Sequence, residues 1–410
     1  MKKLDLRLLG LFLAGTLGGP FAATADDWPA YRGQNQDGHS SETGLFTEWQ
    51  EEGPRRLWSA SLGTGYSAIS VVDGRVFTQF GDGTDEFAAA FSSENGKELW
   101  RVRTDRDRYD SFGRGPRSTP TIAGGTVFAM GALGKIFALD ASSGHVRWSV
   151  DLVAEYGAKV PQWGVSTSPT VAGDLLLLDI GGRADYSLIA LDRKTGSLRW
   201  HSQTDKPGYS TPLLAELAGE SHAVFFTGTA LVGVSPQSGR LFWRHPWQTS
   251  YDVNAAMPVA ISPNRVFLSS GYDSGAALLE VKKNGEDFAV AEVWRSRHMK
   301  NHFNSSVLVG EHLYGFDNGT LKCIRADNGE QEWAQRGFSK GALIYADGFL
   351  IVLGEKGLLA VVQATSEAYR EKARFEPFST KTWTMPTLSE GVLYLRDEKE
   401  LVAYDLKPGD

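Results

Sequence analysis

The residues best suited to chemistry in this 410-residue chain are basic and aromatic, and they recur at matching places in successive repeat units. Each group precedes the first strand of its unit: Tyr66; then Arg114 and Arg117; then Lys159, Gln162 and Trp163; then Tyr251, Asp252 and Asn254. Lys300, Asn301 and His302 follow, then Lys340, then Lys381 with Trp383. Asp252 is the one acid among them. A ring of this kind is expected to focus positive potential on an anion, while its aromatic faces stack on a planar or sugar-like group. The expected ligand is therefore an anionic small molecule or an acidic peptide segment. His302 with Asp252 would form an acid–base pair, because imidazole titrates near neutrality. Asp252 and Asn254 would offer oxygens to calcium, although the surrounding lysines oppose a cation there. The competing reading makes these residues cross-links between neighbouring units. No nucleophile elbow accompanies them, nor does an HExxH or CxxC pattern, so no catalytic residue and no metal site are assigned.

Bulk properties narrow the function further. The formal net charge is −7, which disfavours nucleic acid as a partner because phosphate neutralisation dominates that binding. A single cysteine, Cys323, allows no internal disulfide and reads as a small strand residue. Lys2, Lys3 and Arg7 precede an apolar run from Leu8 to Leu17, and Ala23-Thr24-Ala25 follows. These are the parts of a cleaved secretory signal peptide, so the expected location is periplasmic or secreted. With no cysteine near the cleavage site, no lipid anchor is expected, and no later run suits a membrane span. The expected divisions are a signal peptide at 1–25, a strap at 26–54, a repeat domain at 55–406 and a tail at 407–410, acting as a monomer.

What positions the candidate residues is periodicity. Trp58, Trp100, Trp148, Trp200, Trp243, Trp294 and Trp333 recur at intervals of 39–52 residues, and Phe375 takes the next place. A period in this range marks a solenoid or propeller, and these tryptophans read as packing between units. The clearest unit runs from Ser118 to Trp148, with turns at Gly124-Gly125 and Ser143-Gly144. Asn-Gly or Asp-Gly at the corresponding turns, such as Asp73-Gly74, Asn95-Gly96 and Asp347-Gly348, predicts type I′ hairpins. Proline opens the first strand at Pro120, Pro169, Pro212, Pro258 and Pro386, a place where a missing N–H is tolerated. The expected fold is all-β: an eight-bladed β-propeller of four-stranded antiparallel blades. A lone strand at Trp58 should complete the last blade near Tyr404, removing two open edges. Seven blades would follow if the weak unit from Ser339 to Phe375 were an insertion.

Ala138-Leu139-Asp140, Gly144 and Trp148, repeated as Ala190-Leu191-Asp192, Gly196 and Trp200, resemble the PQQ-like propeller repeat of quinoprotein dehydrogenases and BamB-type outer-membrane assembly proteins. Asp27-Trp28-Pro29-Ala30-Tyr31-Arg32-Gly33 and Lys159-Val160-Pro161-Gln162-Trp163-Gly164 are similar to motifs of secreted BamB-like propellers. Tyr251 to Ala256 and Lys300-Asn301-His302 are similar to further motifs of that group. The resemblance implies a non-catalytic binding or protein-interaction scaffold with a partner in the cell envelope, and Trp49 and Trp247 as exposed anchors. It also implies an alternative, a quinone-dependent oxidoreductase holding PQQ with calcium. The vicinal cysteines of such enzymes have no counterpart beside Cys323, and no cofactor is expected.

Overall fold

The computed structural model describes residues 27–407. Its strands assemble into eight four-stranded antiparallel sheets arranged as the blades of a closed propeller. Blades 1 to 7 occupy 70–106, 121–151, 170–202, 213–246, 259–296, 307–335 and 341–375. Blade 8 takes three strands from 387–405 and its outer strand from Arg56–Ser61. That closing strand pairs antiparallel with Glu400–Asp405, setting Arg56 opposite Tyr404 and Trp58 opposite Ala403. The unit ending at Phe375 is a complete blade, which removes the seven-blade alternative.

Two kinds of turn divide each blade. Between the two innermost strands, Asp73 and Gly74 have φ of 50° and 68°, and Asp347 and Gly348 have 50° and 82°. These pairs of positive φ are the two-residue type I′ geometry the sequence predicts. The turns before the outer strand differ from that expectation. In blade 2 the strands Lys135–Asp140 and Val146–Asp151 are joined by a longer loop with one positive φ, at Gly144. Asp140 shapes this loop, accepting N–H groups from Ser142 and Ser143 at 3.1 and 3.0 Å and pairing with Arg147 at 2.7 Å. Local carboxylate–backbone bonds of this type favour a turn over a ladder.

Gly144 also receives the tryptophan of the preceding blade. A Cβ placed there would lie 2.8 Å from the Trp100 indole, whose N–H donates to the Ala141 carbonyl in the same turn at 3.1 Å. Trp58, Trp148, Trp200 and Trp294 repeat this relation with Gly96, Gly196, Gly239 and Gly329. The periodic tryptophan and periodic glycine are thus two halves of one inter-blade contact. Trp243 departs from it. The next blade carries the long hairpin Gly275–Asn284 and Asp287–Ser296 instead of the short turn. Trp243 lies over Gly233 of its own blade, and its indole N–H has no acceptor among the described residues.

Nearer the axis, hydroxyl groups bind the blades together. Ser70 donates to the Pro120 carbonyl at 2.7 Å, Thr121 to Pro169 at 2.6 Å, Thr170 to Pro212 at 2.7 Å, and Thr387 to Ile69 at 2.8 Å across the closure. The prolines have no N–H to satisfy, and their buried carbonyls, which need partners, take the hydroxyls of the neighbouring blade.

One end of the central channel is closed by the segment preceding the closing strand. Trp28 bridges to Val71, the Pro29 carbonyl accepts from Ile122, and Gln36 reaches Thr170 and Pro212. The buried Arg32 guanidinium donates to the carbonyls of Gln36, Asp37 and Ser306 at 2.7–3.1 Å. His39 bridges to Tyr345 in blade 7. Trp49 and Trp247, expected to be exposed, are buried. Trp49 meets Phe375 edge-on, and Trp247 lies under the Arg295 guanidinium. Among the described residues no helix is long and apolar enough to cross a membrane. The expected signal peptide and most of the expected tail lie outside the described residues.

Candidate functional site

The other end of the channel opens into a blind pocket of about 140 Å³. Its walls come mainly from the segments that lead from one blade into the next, with Tyr272 added from a turn inside blade 5. Tyr66, Arg117, Trp163, Tyr209, Tyr272, His302, Phe303 and Trp383 line it, and Tyr31 from the strap contributes from the closed end. The rings form a continuous chain of contacts. Trp163 touches Phe112 and Tyr209, Phe112 touches Trp383, and Trp383 touches Tyr66 and Phe303, with centroids 4.9–5.9 Å apart. His302 joins through Tyr272 at 5.1 Å.

The pocket owes part of its wall to a small extra hairpin, Tyr109–Asp110 paired with Gly113–Arg114. It turns Phe112 into the pocket and presents the Phe112 carbonyl to the Tyr66 hydroxyl and the Lys381 ammonium, both at 2.7 Å. Phe112, Phe303 and Tyr272 were not among the sequence candidates. Phe112 and Phe303 stand beside named residues, so a search for aromatics around each basic residue would have found them.

The expected basic ring does not form as such. Three of its basic groups have acidic partners: Arg117 pairs with Asp110 at 2.9 Å, Arg114 with Asp107 at 3.6 Å, and Lys300 with Asp273 at 3.5 Å and Asp317 at 3.4 Å; its one acid, Asp252, pairs with Lys206 at 2.9 Å. Lys159 and Gln162 are exposed and do not line the pocket. Asn254 and Asn301 are buried cross-links. Asn254 donates to Thr227 and Trp247 and accepts from Ser270, while Asn301 donates to Phe316 and accepts from Ser306. The residues drawn together around the pocket are Tyr66, Arg117, Trp163, His302, Lys340, Lys381 and Trp383, with Tyr251 edge-on to Trp163 at 6.1 Å.

Acid–base chemistry finds no couple here. His302 faces Lys340, whose ammonium lies 3.4 Å from Nδ1, while Asp252 is held by Lys206. Burial and then the Lys340 charge push the His302 imidazole down to about 4, so it is neutral at neutral pH. The Cys323 thiol is buried within blade 6, and burial raises it to about 12, far from a reactive thiolate.

These features define a PQQ-like propeller, and the comparisons with known proteins agree. Residues 84–335 match the family model described as Outer membrane protein assembly factor BamB, and the chain belongs to this family. It is 22% identical over 340 residues to the outer membrane protein assembly factor BamB of Yersinia pestis, covering 75% of this chain and 77% of that protein. The quinoprotein alcohol dehydrogenase PedH of Pseudomonas putida is 26% identical over 154 residues, covering 33% of this chain and 24% of the dehydrogenase. The crystal structure of BamB from Moraxella catarrhalis superposes with a TM-score of 0.62 at 14% identity, over 86% of this chain and 100% of that one.

The quinoprotein likeness raises the question of a quinone with calcium. Calcium takes about six to eight oxygen ligands. No carboxylate lines the pocket, and among the described residues no three His, Cys, Asp or Glu converge on a metal position. A cavity of about 150 Å³ accepts a single benzene ring, whereas PQQ is a fused three-ring tricarboxylate. The residues present do not fit that pair.

Proposed function

We propose that the protein is a non-catalytic binding scaffold of the cell envelope, of BamB type, exported by its N-terminal segment and engaging a partner of outer-membrane assembly through its loop face. The observation that carries this reading is the make-up of that face. A blind aromatic pocket, lined by no Asp, Glu or Cys among the described residues, is flanked by two strongly exposed tyrosines, Tyr109 at 68% and Tyr251 at 67%. Amphipathic rings at a rim, around a largely aromatic centre, are the composition of a protein-binding hot spot. Tyr109 and Tyr251 replace Trp49 and Trp247 as the anchors.

The test is affinity capture of the tagged protein from envelope extracts, with outer-membrane assembly components followed by antibody. Wild type should recover them, and Tyr109→Ala combined with Tyr251→Asn should lower recovery about tenfold. Asparagine is chosen because Tyr251 has φ of 63°, which asparagine tolerates. Equal recovery by wild type and variant would overturn the reading. So would quinone retention with dye-linked alcohol oxidation after addition of PQQ and calcium.

A further inference from the structure

The pocket has a charge preference that its aromatic walls alone would not give. Cages built from aromatic rings ordinarily favour cations, which sit against the negative faces of the rings. Here cations of the protein already occupy those positions. Lys381 lies 4.5 Å from the Trp383 centroid and 5.5 Å from that of Tyr66, and Lys340 lies 5.7 Å from Trp383 and 6.0 Å from Phe303. Arg117 lies 5.5 Å from Tyr66 and is itself part of the lining.

The acids nearby are engaged in the wall. Asp110 holds Arg117, Glu355 accepts the Trp383 indole N–H at 2.8 Å, and Glu398 lies 2.8 Å from the Tyr66 hydroxyl. Lys340 and Lys381 bond instead to His302, Tyr66 and the Phe112 carbonyl, all uncharged at neutral pH. An incoming cation would meet the Arg117 guanidinium in the lining and the charges of two lysines that stand against its rings. An anion on those rings would be drawn by the two lysines, whose hydrogen bonds are with neutral groups, with Glu355 beside Lys340 offsetting part of the attraction. The volume sets the other requirement, since about 140 Å³ admits one ring.

We infer that the pocket binds a single aromatic ring bearing a carboxylate, and that it rejects the same ring bearing an ammonium. The inference rests on the scaffold reading and gives the chemistry of what enters its central pocket. Such a group can come as a free aromatic acid or as the terminal residue of a peptide.

Isothermal titration of the full protein with phenylacetate and with benzylammonium decides the charge preference without a mutation. Phenylacetate should bind saturably and at least about tenfold more tightly than benzylammonium. Lys340→Met with Lys381→Met should abolish that difference while the thermal unfolding transition persists. Equal binding of the two ligands, tighter binding of benzylammonium, or saturation by neither would overturn the inference. A tripeptide ending in phenylalanine, compared with its C-terminal amide, separates the sources. Tighter binding of the acid peptide than of phenylacetate points to a protein terminus, and the reverse points to a free acid. Envelope capture that succeeds while both rings fail to bind would leave the scaffold reading standing and remove this one. Ring binding with failed capture would do the opposite.

Discussion

At the scale of single residues, partners decide what a charged group does. Arg117 and Lys381 are both basic and both precede a blade, yet one is tied to Asp110 and the other bonds only to neutral groups. The contrast recurs among acids. Asp205 pairs with Arg244 and is held below the usual carboxylate range by hydrogen bonds that outweigh its burial. Asp179, fully buried nearby, accepts an N–H from Gly208 at 3.0 Å and, among the described residues, has no arginine or lysine paired with it. Burial pushes it up to about 8. A carboxyl raised in the folded state binds its proton more tightly there than in the unfolded chain. Its contribution to stability is therefore full at low pH and is lost as pH rises through the folded value. Asp179→Asn keeps a neutral acceptor for Gly208. It should raise stability at pH 8–9 by about 1–3 kcal/mol and change it little at pH 4. Urea unfolding at the two pH values measures this, and a variant no more stable than wild type at pH 9 would show that Asp179 is not held neutral. Cys323, buried with a raised pKa, should resist iodoacetamide at pH 8 until the protein is unfolded, as mass spectrometry would show.

At the scale of the blade, the turn glycines form two classes that the sequence does not distinguish. Gly144 and Gly173 both have positive φ, 73° and 60°. A Cβ on Gly144 would collide with the Trp100 ring, whereas around Gly173 no atom lies within 4 Å of that position. Gly173→Ala should cost about 1 kcal/mol, the backbone penalty alone. Gly144→Ala should cost about 2–4 kcal/mol, because it also forces the inter-blade tryptophan from its seat. Denaturant midpoints of the two variants test the difference, and equal losses would mean the tryptophan contact adds nothing. The turn glycines and tryptophans were both legible in the sequence as periodic marks. That Trp58, Trp100, Trp148, Trp200 and Trp294 each pack on the glycine of the following blade was not, because their separation exceeds any local hydrogen-bonding range.

At the scale of the whole molecule, a ring made from one chain must be closed at its seam and, in this protein, at one end of its channel. Arg56–Ser61 closes the seam by pairing with Glu400–Asp405, and the segment around Trp28 to His39 closes the channel. A chain beginning at residue 54 keeps every blade strand but loses the buried Trp28, Arg32 and Trp49 and the pocket contact of Tyr31. Its melting temperature should fall by at least about 5 °C, and aromatic carboxylates should no longer bind. Calorimetry and titration check both. Unchanged values would show that the channel is closed by the blades themselves.

Turn positions and the closing strand were legible in the sequence, and the blade number was narrowed to eight or seven, because Gly, Pro and Trp punctuate the chain locally and their spacing repeats. The hydroxyl–proline belt was half visible: Ser/Thr beside Pro120, Pro169 and Pro212 was written in the chain, but not that each hydroxyl serves the next blade. The aromatic half of the site could be anticipated for the same reason, since Trp163, Trp383 and Tyr66 stand at equivalent places in the repeat. Its electrostatics belonged to the tertiary structure. Asp252 meets Lys206, 46 residues away, Lys381 meets Tyr66, 315 residues away, and Asn254 and Asn301 are consumed by backbone groups of neighbouring strands. Coulomb and hydrogen-bond energies depend on distance through space, and a ring closed across three hundred residues sets those distances only when its two ends meet.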